Sequence, residues 1–271
     1  MVNIQYASDL HINDFPKTTP FRHFIVPVAP ILVLAGDVCS AWDSHFYTFL
    51  AWCSRSWRIV IFVPGNHEYY CDPSTPYTIE ETDTHMYRLT SSFPNVVFLQ
   101  SGASYVLPGT RIRFVGATLW SAISPSIWDE IAGKKGDFKS TFSATHWQVR
   151  HTTPADINSR HYFQKAHLAS AIAPHYHGET LIVVTHHMPS MQLLEDHYKG
   201  EKWCSCYASN SDELLLPNIT AWICGHSHRA TQWKAPYGGP TVYMNARGYN
   251  RPHEMHRTED LYDTQAVFSV A

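Results

Sequence analysis

Five short stretches of the chain collect residue types that bind divalent metals: Asp9-Leu10-His11, Gly36-Asp37, Gly65-Asn66-His67-Glu68, His186-His187 and Gly225-His226-Ser227-His228. Carboxylate, imidazole and amide oxygens suit Mn, Fe, Zn and Ni, whereas thiolates would select other ions. Asp-x-His and His-x-His can aim two side chains at one point, because alternate residues of extended chain share a side. Asp9, His11, Asp37, Asn66, one histidine of the 186–187 pair, His226 and His228 are too many for one tetrahedral ion. They suit two ions about 3.5–4 Å apart that share a carboxylate, the arrangement that clamps both oxygens of a phosphoryl displacement.

The elements expected to carry these groups are short apolar runs. Val2–Ala7 alternates as a strand, and Ile31–Ala35, Ile59–Val63, Leu181–Thr185 and Thr220–Cys224 read as strands buried on both faces. Each runs almost directly into one of the five groups, where an open α/β sheet binds its ligands. Gly36, Gly65 and Gly225 allow sharp turns where ligands crowd. Helices are expected at about 44–54, at 74–92, and from the Thr153-Pro154 cap to about residue 173. Val96–Leu99 is a short strand, and Ala103–Leu107 and Arg111–Ala117 form a hairpin across Pro108-Gly109-Thr110. Ser211–Leu216 reads as a short helix, and Thr241–Asn245 and Gln265–Val270 as late strands. Asn13–Pro30 holds four prolines and is mostly loop. Two stretches lack a period: 120–151, with Trp120, Trp128, Trp147 and several lysines, and 191–206. Both are candidate substrate-facing caps on a single domain spanning 1–271. The alternative is a solvated excursion with its aromatics folded under.

Composition narrows the function classes. The 271 residues are 44% hydrophobic, with a formal charge of −3, which gives no basic footprint for duplex nucleic acid. No apolar run reaches the roughly 18 residues of a membrane span. The N-terminus shows no basic-then-apolar leader, so the six cysteines are expected to be reduced and the location cytoplasmic. The 18 histidines are notable, because imidazole is the commonest metal ligand. The twelve outside the five groups (His23, His45, His85 and His146 among them) read mostly as surface residues. Oligomeric state is not legible.

The order D-x-H, G-D, G-N-H-E, H, G-H-x-H, carried by Asp9–His11, Gly36-Asp37, Gly65–Glu68, His186 and Gly225–His228, resembles the calcineurin-like metallophosphoesterase superfamily. The resemblance spans residues 9 to 228. It implies a four-layer αββα sandwich, an α/β architecture of two mixed β-sheets flanked by helices. It implies that Asp9, His11 and His228 hold one divalent ion, that Asn66, His186 and His226 hold a second, and that Asp37 bridges them. Mn²⁺ is the expected metal, with Fe, Zn or Ni as alternatives. His67 would protonate the leaving oxygen while a metal-bridging hydroxide attacks phosphorus in a small phosphomonoester or phosphodiester. Glu68 is expected to orient His67. His187 is an alternative to His186 as ligand, or a substrate contact. Asn245-Ala246-Arg247-Gly248-Tyr249 is similar to an Asn-Pro-Arg-Gly-Tyr run of uncharacterised bacterial phosphohydrolases of that superfamily, and makes Arg247 a candidate substrate contact.

Each group alone has a bland reading: a chance pair, an ordinary turn, a helix cap or a buried histidine pair. Their shared order and strand-end placement favour a metal centre. Two other classes stay in view. One is a scaffold that kept the fold and lost catalysis, which bound metal would disfavour. The other is a nuclease or nucleotide phosphodiesterase, against which the lack of a basic stripe weighs.

Overall fold

The computed structural model describes residues 1–145, 148–174, 176–196, 198–250 and 262–271. His146 and Trp147, named above, lie outside them. In chain order the strands are β1 (Val2–Ala7), β2 (Ile31–Ala35), β3 (Ile59–Val63), β4 (Val96–Phe98), β5 (Ala103–Val106), β6 (Ile112–Ala117), β7 (Phe142–Thr145), β8 (Gln148–His151), β9 (Thr180–Thr185), β10 (Ile219–Cys224), β11 (Ala230–Lys234), β12 (Thr241–Asn245) and β13 (Val267–Val270). The α-helices are α1 (Ser44–Ser56), α2 (Ile79–Ser91), α3 (Trp128–Ile131), α4 (Asp137–Ser140) and α5 (Pro154–Ile172).

Two mixed sheets form the centre. One has the order β13-β1-β2-β3-β4 and the other β11-β12-β10-β9-β6-β5. Within them β1, β2, β3 and β4 run parallel, as do β6, β9, β10 and β12, while β13, β5 and β11 are antiparallel edges. Alternation along each strand feeds two layers at once. In β2, Ile31, Val33 and Ala35 face the second sheet's Phe114, Ile182, Val184 and Ile223. Leu32 and Leu34 face outward to Phe46, Phe49 and Leu50 of α1 and Met86 of α2. On the far side Leu181, Val183 and Trp222 pack against Leu168 and Ile172 of α5. The layers therefore run helix, sheet, sheet, helix.

Helix ends follow local chemistry. Asp43 accepts from the His45 amide to cap α1. Thr153 and Asp156 form a capping box with Pro154 in the first turn of α5. Helix α2 begins at Ile79 and not at Ser74. Pro76 disfavours helical backbone before it, and the Thr78–Glu81 capping box supplies the real start. Ser211–Leu216 is only a 3₁₀ turn over Asp212–Leu214. The last strand begins at Val267, because Asp263 turns the chain by accepting from the Gln265 amide. The hairpin β7–β8 and the edge strand β11 carry no apolar run to mark them in the sequence, being largely exposed or half-buried. His45 and His161 are buried, unlike the surface role expected of the spare histidines. All six cysteines are unpaired. Among the described residues no helix is long and apolar enough to cross a membrane.

Candidate metal centre and active site

The carboxyl ends of β1, β2 and β3 meet those of β9 and β10 across the sandwich. Backbone bonds lock the loops: Asp9 N–H to the Gly36 carbonyl at 2.9 Å, His11 N–H to Asp37 at 3.1 Å and Gly225 N–H to His186 at 2.9 Å. Five of the expected ligands turn through left-handed backbone: Asp9 (φ 54°), His11 (42°), Asp37 (56°), His226 (71°) and His228 (52°). The packing explains the glycines. A Cβ on Gly36 would meet Gly65 N and His186 Nδ1 at 2.5 Å, and one on Gly225 would collide with the Asp9 carboxylate.

Two candidate ligand sets result, with Asp37 between them. In one, His11 Nε2 and His228 Nε2 lie 3.1 Å apart, and Asp9 Oδ1 is 3.5 Å from His228 Nε2. In the other, His186 Nε2 is 3.1 Å from Asn66 Oδ1 and 3.2 Å from His226 Nδ1. Asp37 Oδ2 lies 3.9 Å from His11 Nε2, 3.4 Å from His186 Nε2 and 3.9 Å from His67 Nε2. Asp9/His11/His228 and Asp9/Asp37/His186 are each clustered tightly enough to share an ion.

The donor chemistry fits divalent cations. His186 donates its Nδ1–H to the Ala35 carbonyl at 2.8 Å, so Nε2 faces the Asn66 and Asp37 oxygens. Two oxygen acceptors converging on one imidazole nitrogen need a cation among them, either a proton on that ring or a metal ion. The electrostatics carry the same signature. Burial pulls the His186 imidazolium down, but Asp37 outweighs it and raises the group to about 10. Burial pushes Asp37 up, but His186 and His67 outweigh it and hold the carboxyl well below its usual range. Burial raises Asp9. Burial, joined by neighbouring imidazoles, drives His11, His226 and His187 well below the ordinary histidine value, so each ring is held neutral and keeps one lone-pair nitrogen that can ligate a metal.

His67 stands at the rim, with its side chain 18% exposed against 2% for Asp37. Its amide donates to Asp37 Oδ1 at 2.8 Å, and its Nε2 lies 2.8 Å from the Tyr249 hydroxyl. A cavity of about 560 Å³ opens from here. Its walls include His226, His228 and Tyr249, with Lys135 and Asp137 from the first aperiodic segment and Leu194, Glu195 and Tyr198 from the second. Much of the first segment is nonetheless packed into the core through Trp120, Ile127 and Phe138.

Two expected residues, Glu68 and Arg247, are placed otherwise than the sequence suggested. Glu68 does not meet His67. It is fully buried, and its carboxylate accepts from the amides of Gly65 at 2.6 Å, Val38 at 2.6 Å and Asp37 at 2.9 Å. His67–Tyr69 is a 3₁₀ turn with three residues per turn, so neighbouring side chains point about 120° apart. Arg247 is absent from the cavity wall. Its guanidinium stacks over Phe15 at 4.3 Å and Phe24 at 5.6 Å. Its backbone and that of Gly248 donate to Ser8 and Asp9, which brings Tyr249, and not Arg247, to the site. His187 stacks on His226 at 3.9 Å, with Nδ1 2.7 Å from Ser121 Oγ. It is absent from the cavity wall, yet it clusters with His186 and His226 tightly enough to share an ion, as the alternative-ligand expectation has it.

The sequence singled out neither Tyr249 nor the pair formed by Tyr70 and Asp137. Tyr249 was visible only as the end of the 245–249 run. Asp137 lies in the segment without a period.

Residues 4–230 match the model of the calcineurin-like phosphoesterases. The chain belongs to that family. Uncharacterized protein L509 of Acanthamoeba polyphaga mimivirus is 27% identical over 278 positions, which cover 91% of each chain. The crystal structure of the phosphopantetheinyl hydrolase PptH from Mycobacterium tuberculosis is similar in fold. Its TM-score is 0.68 at 19% identity, over 94% of this chain and 92% of that one. Family membership makes the chain a metal-dependent phosphoesterase with His and Asp groups able to bind metal.

Proposed function

We propose that the chain is a binuclear phosphoesterase that hydrolyses a small phosphate ester. The observation that carries this reading is the Asp37 Oδ2 atom, which lies between the His11 and His186 nitrogens, each part of a separate ligand set. Asp9, His11 and His228 would hold one ion and Asn66, His186 and His226 the other. His186 is favoured over His187 because its Nε2 meets both Asn66 and Asp37. Two divalent ions there, Mn²⁺ being the first to try and Fe, Zn or Ni the alternatives, would supply a water of lowered pKa and a charge clamp on the phosphoryl oxygens.

The chain's own residues do the rest. Asp37 turns one carboxylate oxygen to both sets and ties the other to the His67 amide, which fixes His67 relative to the reacting phosphorus. His67, with its ring at the cavity rim, gives a proton to the leaving oxygen. Tyr249 holds that ring through its hydroxyl. Lys135, over the Tyr207 ring at 4.1 Å, adds positive charge to the cavity wall.

The test is a panel of phosphomonoester, phosphodiester and pyrophosphate substrates with each metal. His67→Ala should lower kcat by about 10²–10⁴-fold, the usual worth of a general acid, with metal content unchanged. Asp37→Asn should lose both bound metal and turnover. Wild-type rates in both variants in metal-replete buffer would refute the reading.

A further inference from the structure

We infer that Asp137, supplied by the aperiodic segment that walls the cavity, is a positioning residue that dictates which end of the Asn66 amide faces the metal centre. The inference rests on the reading of Asn66 as a ligand. The Asn66 amide nitrogen has two protons, and both are accounted for: Nδ2 donates to Asp137 Oδ1 at 2.9 Å and to the Tyr70 hydroxyl at 3.0 Å. The Tyr70 hydroxyl in turn donates to the same Asp137 oxygen at 2.6 Å. The three groups close a triangle in which the carboxylate is the final acceptor.

With both amide protons used, Oδ1 is left to face His186 Nε2 at 3.1 Å. The flipped amide would place its oxygen against a carboxylate and lose the bond to Asp137. It could meet Tyr70 only if that hydroxyl gave up Asp137, and it would present N–H groups, which cannot ligate a metal. A neutral partner would discriminate less, because a charged acceptor bonds more strongly. Asp137 is 71 residues from Asn66 in the chain. Its place in the first turn of α4 accounts for a negative charge there, but not for the aim of Oδ1 at Asn66 and Tyr70. Gly136 permits the approach: a Cβ there would stand 3.0 Å from the Tyr70 hydroxyl.

Outer-shell partners of metal ligands are typically worth about 10–100-fold in metal affinity. Titrating metal-stripped protein with Mn²⁺ in a calorimeter reads this directly, with His226→Ala and His228→Ala assigning the two binding events. Asp137→Ala should weaken the event lost in His226→Ala by about 10–100-fold and leave the event lost in His228→Ala in place. Asp137→Asn, which keeps an acceptor oxygen, should fall between Asp137→Ala and the parent. Should Asp137→Ala not fold, exchange of the two groups decides. Asn66→Asp alone sets two carboxylates face to face and should bind poorly. Adding Asp137→Asn restores one amide and one carboxylate and should recover the event. Unchanged constants in Asp137→Ala and Asp137→Asn, or no recovery in the double variant, overturn the inference alone. A parent protein that binds no metal overturns it together with the binuclear reading.

Discussion

Glu68→Gln keeps the size of the side chain and replaces one acceptor oxygen with a donor. Gly65 and Asp37 donate to Oε2 and Val38 donates to Oε1. A glutamine oxygen can keep the first two bonds at best, and its NH₂ then faces the Val38 N–H. One buried donor goes unsatisfied, at about 1–3 kcal/mol. Above about pH 8, the value to which burial raises Glu68, the side chain is ionised and the two bonds kept lose their charge assistance, each bond to a charged group exceeding a neutral one by about 1 kcal/mol. The expected loss is about 3–5 kcal/mol. At about 2–4 °C per kcal/mol for chains of this size, Tm at that pH should fall by roughly 6–20 °C in calorimetry. Because the three amides belong to the loops that carry Asp37 and Asn66, metal affinity should fall as well. If Tm holds within about 1 °C while kcat alone drops, Glu68 acts on His67 as the sequence suggested, and the role drawn from its hydrogen bonds is wrong.

The metal-free protein should be most stable near pH 6.5. His186 is raised from 6.5 to about 10, and Glu68 from 4.5 to about 8 by burial and Asp37. Each stabilises most below its unfolded value, so stability falls as pH rises toward 10. His11, His187 and His226 are held down by burial, so their contribution is present above pH 6.5 and lost as pH falls. Thermal melts of stripped protein from pH 5 to 10 check this, and a flat profile would count against it. Metal uptake below pH 10 should also release protons, seen as a buffer-dependent calorimetric enthalpy. Tyr249→Phe removes the hydroxyl 2.8 Å from His67 Nε2 and keeps the ring against His11 and His228. A lost hydrogen bond of about 0.5–1.5 kcal/mol, at 1.36 kcal/mol per tenfold in rate, predicts a kcat roughly 2- to 10-fold lower with metal affinity unchanged. A Tyr249→Phe enzyme with parental kcat would remove Tyr249 from the reaction.

The candidate positions Asp37, Asn66, His67, His226 and His228 could be placed from sequence because parallel strands buried on both faces read as apolar runs and glycine or proline marks where β2, β3 and β10 stop. Asp9 and His11 follow the alternating strand β1 directly. A polar residue just past that point has its position set by the strand. Sequence adjacency failed where the turn, and not the strand, sets direction. Glu68 follows His67, yet the 3₁₀ turn sends it inward to three amides. Arg247 precedes Gly248, whose φ of 81° lies in the left-handed region, and it is Tyr249 beyond the glycine that enters the site. Asp137 was beyond reach altogether. Its bond to Asn66 depends on how an aperiodic segment packs, and Trp120 and Phe138 anchor that segment by burial alone, with no repeating pattern.

The left-handed backbone at five candidate ligand positions joins the fold to the chemistry. Among the described residues, nine that are not glycine have positive φ, and Asp9, His11, Asp37, His226 and His228 are five of them. Asp and His tolerate that region better than branched residues do, yet such backbone persists only where its surroundings over-determine it. Here they do: Asp9 is held by the Gly36 carbonyl, His11 by Asp37, and the His226 amide by the Asp9 carboxylate at 3.0 Å. Each loop is thus fixed by another ligand loop, so the ligand sets assemble together. A strand end extended in the ordinary way would carry its next side chains onward, away from the facing sheet. The left-handed turn brings them back across the gap, which leaves Asp37 Oδ2 facing His11 on one side and His186 on the other.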